Sequence, residues 1–556
     1  MSSTKKFFKS SMVYFMGNVL TKIISFFLLP LYTTRISTDE YGYFNTSTNY
    51  LDILIAILCM EIWSVIMRFM FDYEGRRGKE KAITNGLVIF CVSLLGYCAV
   101  FAVLALALDL QYLLLIFIMG LCSMIQAIYT YTTRGLGYNA VFAVSGIVGS
   151  LVNSLTNVAL ILGFSMTVKS LYLAAIAGYV VQILMLERKV HLLRAIHPKL
   201  VRPRLLKRML RFSLPLAANA VCACFLTNYN SIMVTNLLGL SENGVFSAAG
   251  KFAVALTLVS SCFSMAWQEL FFSKGGEEDK GAFYTRAMSY YYRFLTLTLA
   301  LLLPVVNVVF SFFIGPEYAG AFPLVPLYLI STSASIYSGF LGYIFSSDKR
   351  TNVVMVSTLA AAAVNVACLH LTIRWIGAQA ASLALLLGFA ACIVIRQAIL
   401  KKETGAKFPF PFFLFSVVLL GVSGYVYFAF GRLVNFCYGL GVFALFCFLF
   451  RDLLKSLLQS GRAFLTRRKG GKRLPAPGNS FLTGSFILKA CGAGSTVKAE
   501  KRGGSRPKGA WRRARWYPGG SAGAAAADAP WGSYSEVLPA YKRRLFPKRG
   551  CPGEPR

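Results

Sequence analysis

The feature that most restricts this chain is a succession of apolar runs, each about 20 residues long, from near the N-terminus to about residue 450. Runs of that length match the hydrocarbon thickness of a bilayer crossed by an α-helix. Within lipid every backbone N–H and C=O must find its partner inside the protein, which leaves helices or closed barrels. Long continuous runs, rather than short alternating ones, select helices. The charge content agrees: 14% of the 556 residues are charged and 56% hydrophobic, where soluble domains carry roughly a quarter charged. So few charges cannot coat a water-facing surface, and an all-α integral membrane protein is expected.

A hydropathy window of about 19 residues predicts fourteen spans, near residues 8–32, 43–71, 83–108, 111–133, 139–164, 169–187, 210–237, 245–272, 288–314, 322–346, 351–374, 378–400, 410–430 and 433–450. Basic residues collect in alternate loops: Arg76, Arg77, Lys79 and Lys81, then Arg134, then the stretch from Arg188 to Arg211, and later Lys349, Arg350, Lys401, Lys402 and Lys407. The intervening loops offer little beyond Arg35, Lys169, Arg374 and Arg432. That asymmetry orients a multi-pass protein with both termini in the cytoplasm, which an even span count requires. The basic start, Met1 to Ser10, precedes a long span and reads as a retained first helix rather than a cleaved signal.

The net charge is +35, and about half the excess lies from residue 451 onward, where 23 Lys/Arg face 5 Asp/Glu. This tail is rich in Gly, Ala, Pro and Arg, a composition that buries too little surface to fold. It is expected to be a solvated extension. The excess elsewhere follows the loops, so nucleic acid is not an expected partner. Most of the 13 cysteines lie within apolar runs and behave there as small buried hydrophobes, and no metal-type cluster appears in the sequence.

An internal repeat organises the spans. Aligning Gly42 on Gly244 also aligns Glu40 on Glu242 and Phe44 on Phe246. A weaker echo pairs Asn139 with Asn352 and Asn153 with Asn365. The second copy begins six spans after the first, so both enter the membrane in the same orientation and form parallel repeats. The expected division is a first lobe (1–190), a basic cytoplasmic linker (191–209), a second lobe (210–400), an added helix pair (401–450) and the tail (451–556). Two six-helix lobes facing across a cavity is a transporter layout.

Soluble catalytic apparatus is hard to find. The three histidines are His191 and His197 in the linker and His370 near the end of span eleven, and no P-loop is present. No catalytic residue and no cofactor are expected, and energy for transport would come from an H⁺ or Na⁺ gradient, from a partner or from the substrate's own gradient. Ionisable residues inside spans are costly, by about 3 kcal/mol at the bilayer centre, and each needs a partner, a wet cavity or a snorkelling path. Arg68, Arg293 and Glu269 lie near span ends, where snorkelling accounts for them. Lys22, Lys251, Asp52 and Glu61 are harder to dismiss and are expected to face a central cavity. Lys22 and Lys251, from opposite lobes, could attract an anionic headgroup such as a pyrophosphate. Asp52 and Glu61 could lower the cost of those cations or bind a coupling ion. Pro30 and Pro215 remove backbone hydrogen bonds near span ends, as helix ends or as hinges for rocking lobes.

Several runs carry a resemblance. LLPLYTTRISTDEYGYF (Leu28–Phe44) resembles the first-loop signature of the polysaccharide-transport, or oligosaccharide flippase, family within the multidrug and oligosaccharidyl-lipid exporter superfamily. LKRMLRFSLPLAANA (Leu206–Ala220) and GVFSAAGKFA (Gly244–Ala253) look like its second-lobe opening, and AWQELFFS (Ala266–Ser273) and IGPEYAGAFPLVPLYLIS (Ile314–Ser331) like later stations. The resemblance covers about residues 5–450. It implies a MATE-like fold of two six-helix bundles with two extra C-terminal helices, and a flippase of the bacterial cytoplasmic membrane. Its implied substrate is an undecaprenyl-pyrophosphate-linked oligosaccharide moved by alternating access, with a glycan polymerase and export machinery as partners. Two departures stand out. Asn230 and Ser231 occupy positions where many relatives place an acidic–basic pair, and Glu269 stands where relatives often have Pro. The alternatives are a multidrug or cation antiporter of the same fold, whose cavity would be more acidic and apolar, a membrane glycan-modifying enzyme, or a scaffold without transport.

Overall fold

The computed structural model describes residues 23–24, 26–273, 280–348 and 350–451, with side chains excepted at Asn219, 262–273 and Thr351. Most of the first expected span, Lys22, the Glu269 side chain and the tail beyond residue 451 therefore lie outside what is described. Fifteen α-helices follow: α1 (Leu29–Arg35), α2 (Thr38–Cys59), α3 (Ile62–Met70), α4 (Gly75–Ala107), α5 (Leu113–Gly135), α6 (Asn139–Val158, extended by a π turn to Gly163), α7 (Val168–Val190), α8 (Pro203–Leu238), α9 (Leu240–Ser273), α10 (Lys280–Phe313), α11 (Val325–Ser347), α12 (Thr351–Ile376), α13 (Gln379–Thr404), α14 (Phe410–Ala429) and α15 (Arg432–Leu449). Among the described residues twelve helices are long and apolar enough to span a membrane, or thirteen when α2 and α3 count as one bent span.

Local chemistry sets the helix ends. Ser37 caps α2, its hydroxyl accepting from Glu40 N at 3.3 Å, with Asp39 and Glu40 in the first turn where the helix dipole favours anions. At the other extreme α13 stops at Gly405 in the left-handed region, with Lys401 and Lys402 in its last turn.

Every expected span from residue 43 onward coincides with a helix, with one break and three earlier starts, at Gly75 for 83–108, at Pro203 for 210–237 and at Lys280 for 288–314. The span placed at 43–71 is broken at Met60–Glu61, and its halves α2 and α3 bend by 47°. Both residues adopt left-handed backbone, φ 46° and 56°, which hydropathy cannot register. The span placed at 210–237 begins earlier, at Pro203, because its first turns are basic and fail an apolar window while remaining good helix formers. Pro215 is thus inside α8, not near its start, whereas Pro30 sits in the first turn of α1, where its missing N–H costs nothing.

Connectivity puts the 190–203 linker at one end of the bundle, the linker end, and the α2 and α9 N-termini at the opposite, far end. The internal repeat recurs as matched close approaches. A Cβ on Gly42 would stand 1.9 Å from Leu240 O, and one on Gly244 would stand 2.0 Å from Thr38 O, so α2 and α9 cross reciprocally at equivalent residues. A Cβ on Gly178 would meet Gly149 O at 2.8 Å and Asn153 Cβ at 3.0 Å, while Gly388 meets Ala361 O at 2.8 Å and Asn365 Cβ at 3.2 Å. The α6–α7 and α12–α13 pairs therefore pack alike, with Asn153 and Asn365 at corresponding points.

One apolar core joins α2, α3, α4, α5 and α7 in the first lobe. A second runs through α9 to α13 at the far end, and a third through α10, α11 and α13 at the linker end. The pair α14–α15 packs against α10: Asn307 Nδ2 donates to Tyr427 O at 2.8 Å, and Gly439 lies against Pro304. Their outward faces expose Leu433, Val418 and Phe448, the pattern of a lipid-facing surface.

Candidate functional site: a polar cavity between the lobes

The cavity follows from the broken span. Asp52 in α2 and Glu61 at the break are nine positions apart, about 13 Å of helix rise between their backbones. Together they line one cavity of about 380 Å³, bounded by α2, α3 and α5 of the first lobe and by α8. Its polar lining includes Gln126, Ser123, Thr227 and Asn228, with Trp63 and Met124 beside them. Asp52 and Asn228 face the cavity from opposite sides of the lobe boundary. Glu61 accepts from Trp63 Nε1 at 2.8 Å and from Ser64 Oγ at 2.7 Å, so its carboxylate is held by two side-chain donors of the first turn of α3. The carbonyl freed at Met60 is taken by Ser213 Oγ of α8. Gln126 continues the polar surface inward, donating to Gln182 Oε1 at 2.9 Å.

Of the four ionisable residues expected in a shared cavity, the structure brings Asp52 and Glu61 together. Lys251 does not line this cavity. It lies two turns along α9 from Gly244, on the face that meets α2, and its ammonium has no hydrogen-bond or ion-pair partner among the described residues. Lys22 is outside the described residues.

At the far end the lobes are closed by neutral hydrogen bonds. Thr38 and Ser241 hydroxyls lie 2.7 Å apart, and Thr46 and Thr235 hydroxyls 2.6 Å. Asn243, fully buried, donates to Thr46 Oγ1 at 2.8 Å and accepts from Ser231 Oγ at 2.7 Å, and Asn49 donates to Ser231 Oγ at 2.8 Å. Tyr318 OH donates to Ile36 O and Ser37 O at 3.0 and 2.9 Å. Small hydroxyls and amides carry little hydropathy signal, so only the repeated Gly42/Gly244 pointed here.

Helix α8 is shared between lobes. Leu205 and Met209 sit in the first-lobe core, and Arg208 pairs with Asp72 at 3.2 Å. Beyond Pro215, Asn230 and Asn365 exchange amide bonds at 3.0 and 2.8 Å, and Asn230 also donates to Ala381 O at 2.7 Å. The departure noted at Asn230 is therefore a satisfied neutral pair. Arg396 was overlooked in sequence as part of a span end. It is 4% exposed and spends its donors on Ser357 Oγ, Ser338 O and Oγ, Val354 O and Thr358 Oγ1, tying α13 to α11 and α12. His370 is not alone, since Tyr229 OH lies 2.7 Å from its Nε2.

Two parallel-repeat helical lobes, sealed at one end and holding a polar cavity between them, are the architecture of MATE-like membrane proteins. Residues 7–268, a little under half of the chain, match the family described as polysaccharide biosynthesis protein. Among solved structures it is similar to the lipid II flippase MurJ in an inward closed conformation, at 13% identity, 80% of this chain, 100% of that chain and TM-score 0.62. It is also similar to an inward-facing multidrug resistance MATE family transporter of the MOP superfamily, at 14% identity, 70% of this chain, 95% of that one and TM-score 0.54. These likenesses show the fold. A segment of 81 residues, 15% of this chain, is 25% identical to protein 1 of the Lsg locus of Haemophilus influenzae. That match spans 20% of the length of the curated relative.

Proposed function

We propose that the protein is a flippase that moves undecaprenyl-pyrophosphate-linked oligosaccharide units across a bacterial cytoplasmic membrane, for surface polysaccharide biosynthesis. The observation that carries this reading is the combination of a closed far end and a polar cavity bounded by both lobes, which is one half of an alternating-access cycle. The family described as polysaccharide biosynthesis supports the sugar-bearing cargo. The charge asymmetry assigns the linker end to the cytoplasm.

In the cycle, the first lobe carries the beginning of α8 with it and the second lobe carries the rest, so the helix must bend between Ser213 and Leu226. Pro215, which leaves the Arg211 carbonyl without its helical donor, is the proposed hinge, and Pro30 the lesser one. Amides and hydroxyls in the cavity suit sugar hydroxyls. Asp52 and Glu61 take the coupling H⁺ or Na⁺, and Lys251 and Lys22 meet the headgroup in transit. A carboxylate-lined cavity also suits the second reading, an organic-cation antiporter, and one experiment separates them. Proteoliposomes carrying the full chain are assayed for outer-leaflet exposure of a fluorescent polyprenyl-pyrophosphate oligosaccharide and for uptake of an organic cation. Movement of the lipid-linked sugar supports the flippase, and cation uptake without it overturns that reading.

A further inference from the structure

We propose that α8 carries a docking stripe for the phosphate headgroup of a lipid, formed by Arg204, Lys207 and Arg211. The inference rests on the flippase reading and names where the phosphate-bearing end of such a cargo first meets the protein.

The spacing comes first. Positions i, i+3 and i+7 lie on one face of a helix. The opposite face of the same turns, Leu205, Met209 and Ser213, is buried against the first lobe. The three cations therefore point away from it, and all three are exposed. None of them makes a hydrogen bond or ion pair among the described residues. Their neighbour Arg208 is already committed, to Asp72 and to the Phe69 ring at 5.1 Å. No carboxylate occurs in the chain between Glu187 and Glu242, so nothing local in sequence neutralises the stripe.

Depth selects the partner. The helix has 36 residues, about 54 Å at 1.5 Å per residue, against a hydrocarbon core of about 30 Å. With its far end at one membrane surface, its first turns stand at headgroup level on the other. Continuing along the stripe, Leu214 and Ala218 are exposed and apolar. A row of unpaired cations followed by an apolar face matches a lipid whose phosphate meets the cations and whose chain enters the hydrocarbon, and it does not match a soluble polyphosphate. In this arrangement the phosphate waits at the rim while the sugar reaches the cavity, whose charged lining among the described residues is carboxylate.

The test uses the full chain in zwitterionic nanodiscs and a fluorescent polyprenyl diphosphate without sugar. The variant R204Q/K207Q/R211Q is compared with R188Q/K401Q/K402Q, which removes the same charge from exposed positions elsewhere at the linker end. The stripe variant should bind the probe roughly a hundredfold more weakly, at about tenfold or less for each cation removed, and the second variant less than about threefold. Equal losses in both would reduce the stripe to general surface charge, and no loss in the first would overturn it. Inorganic pyrophosphate competing as well as the lipid would overturn the choice of a lipid partner. Oligosaccharide flipping by the intact chain is measured in parallel. Stripe-dependent capture without flipping sinks the flippase reading alone, and flipping with capture indifferent to the stripe sinks this inference alone.

Discussion

Replacing Gly244 with alanine tests whether the α2–α9 crossing is what holds the far end closed. The added methyl would lie 2.0 Å from Thr38 O, 2.9 Å from its carbonyl carbon and 3.2 Å from Gly42 N, all backbone atoms that no rotamer change can move. Recovering an ordinary contact of 3.4 Å requires the helices to part by about 1.4 Å. That separation carries the Thr38–Ser241 bond, now 2.7 Å, out of hydrogen-bonding range, and strains the Thr46–Thr235 bond below it. Overpacking costs about 1–3 kcal/mol and each lost hydrogen bond about 1 kcal/mol. The far-closed state should lose about 3 kcal/mol, a population shift of roughly a hundredfold. Thr46, 7% exposed, is a suitable reporter. Its cysteine replacement should react with a membrane-impermeant maleimide from the far side tens to a hundred times faster in Gly244→Ala. Gly339→Ala is the control, since a Cβ there has nothing within 4 Å. Gly42→Ala should reproduce the effect, and the double variant should add little once the helices have parted. Unchanged labelling in a Gly244→Ala protein that melts like the control would refute the reasoning.

Further outcomes follow from the same contacts. Asn230→Leu or Asn365→Leu alone strands a buried amide and should cost about 1–3 kcal/mol, read as a lower Tm in detergent. The double Leu variant should fall well short of the sum, because removing both partners leaves no side-chain amide unpaired. Arg396→Ala should destabilise by about 3 kcal/mol or more through lost bonds and a cavity, with Arg396→Lys recovering part of it, again by Tm. Asp52→Asn with Glu61→Gln should leave Tm nearly unchanged while abolishing the response of transport to an imposed ion gradient, and a retained response would remove these carboxylates from coupling.

How legible the molecule was depends on the range of the forces involved. Thirteen of the expected spans appear as helices because bilayer thickness and the cost of unpaired backbone act on each segment separately. The repeat was readable because the Gly42 and Gly244 signatures survive in both copies. Asp52 and Glu61 could be singled out because a charge within an apolar run is costly wherever it ends up. Arg396 escaped because it sits a turn from Lys401 and passes for a span-end cation, and only α11 and α12 reveal that it is buried.

The chain by itself therefore determined where its helices lie from residue 43 onward, together with the pairing of its two halves. Tertiary structure alone decided the break at Met60–Glu61, where a left-handed pair is tolerated because Ser213 Oγ of α8 donates to the freed Met60 carbonyl. It decided too that Asp52 and Glu61 share a cavity while Lys251 lies off its lining, and that Asn230 meets Asn365 across 135 residues. Those outcomes depend on which helix faces meet. Hydropathy and spacing describe one helix at a time, so the partner of a polar side chain in the membrane is settled only when the lobes pack.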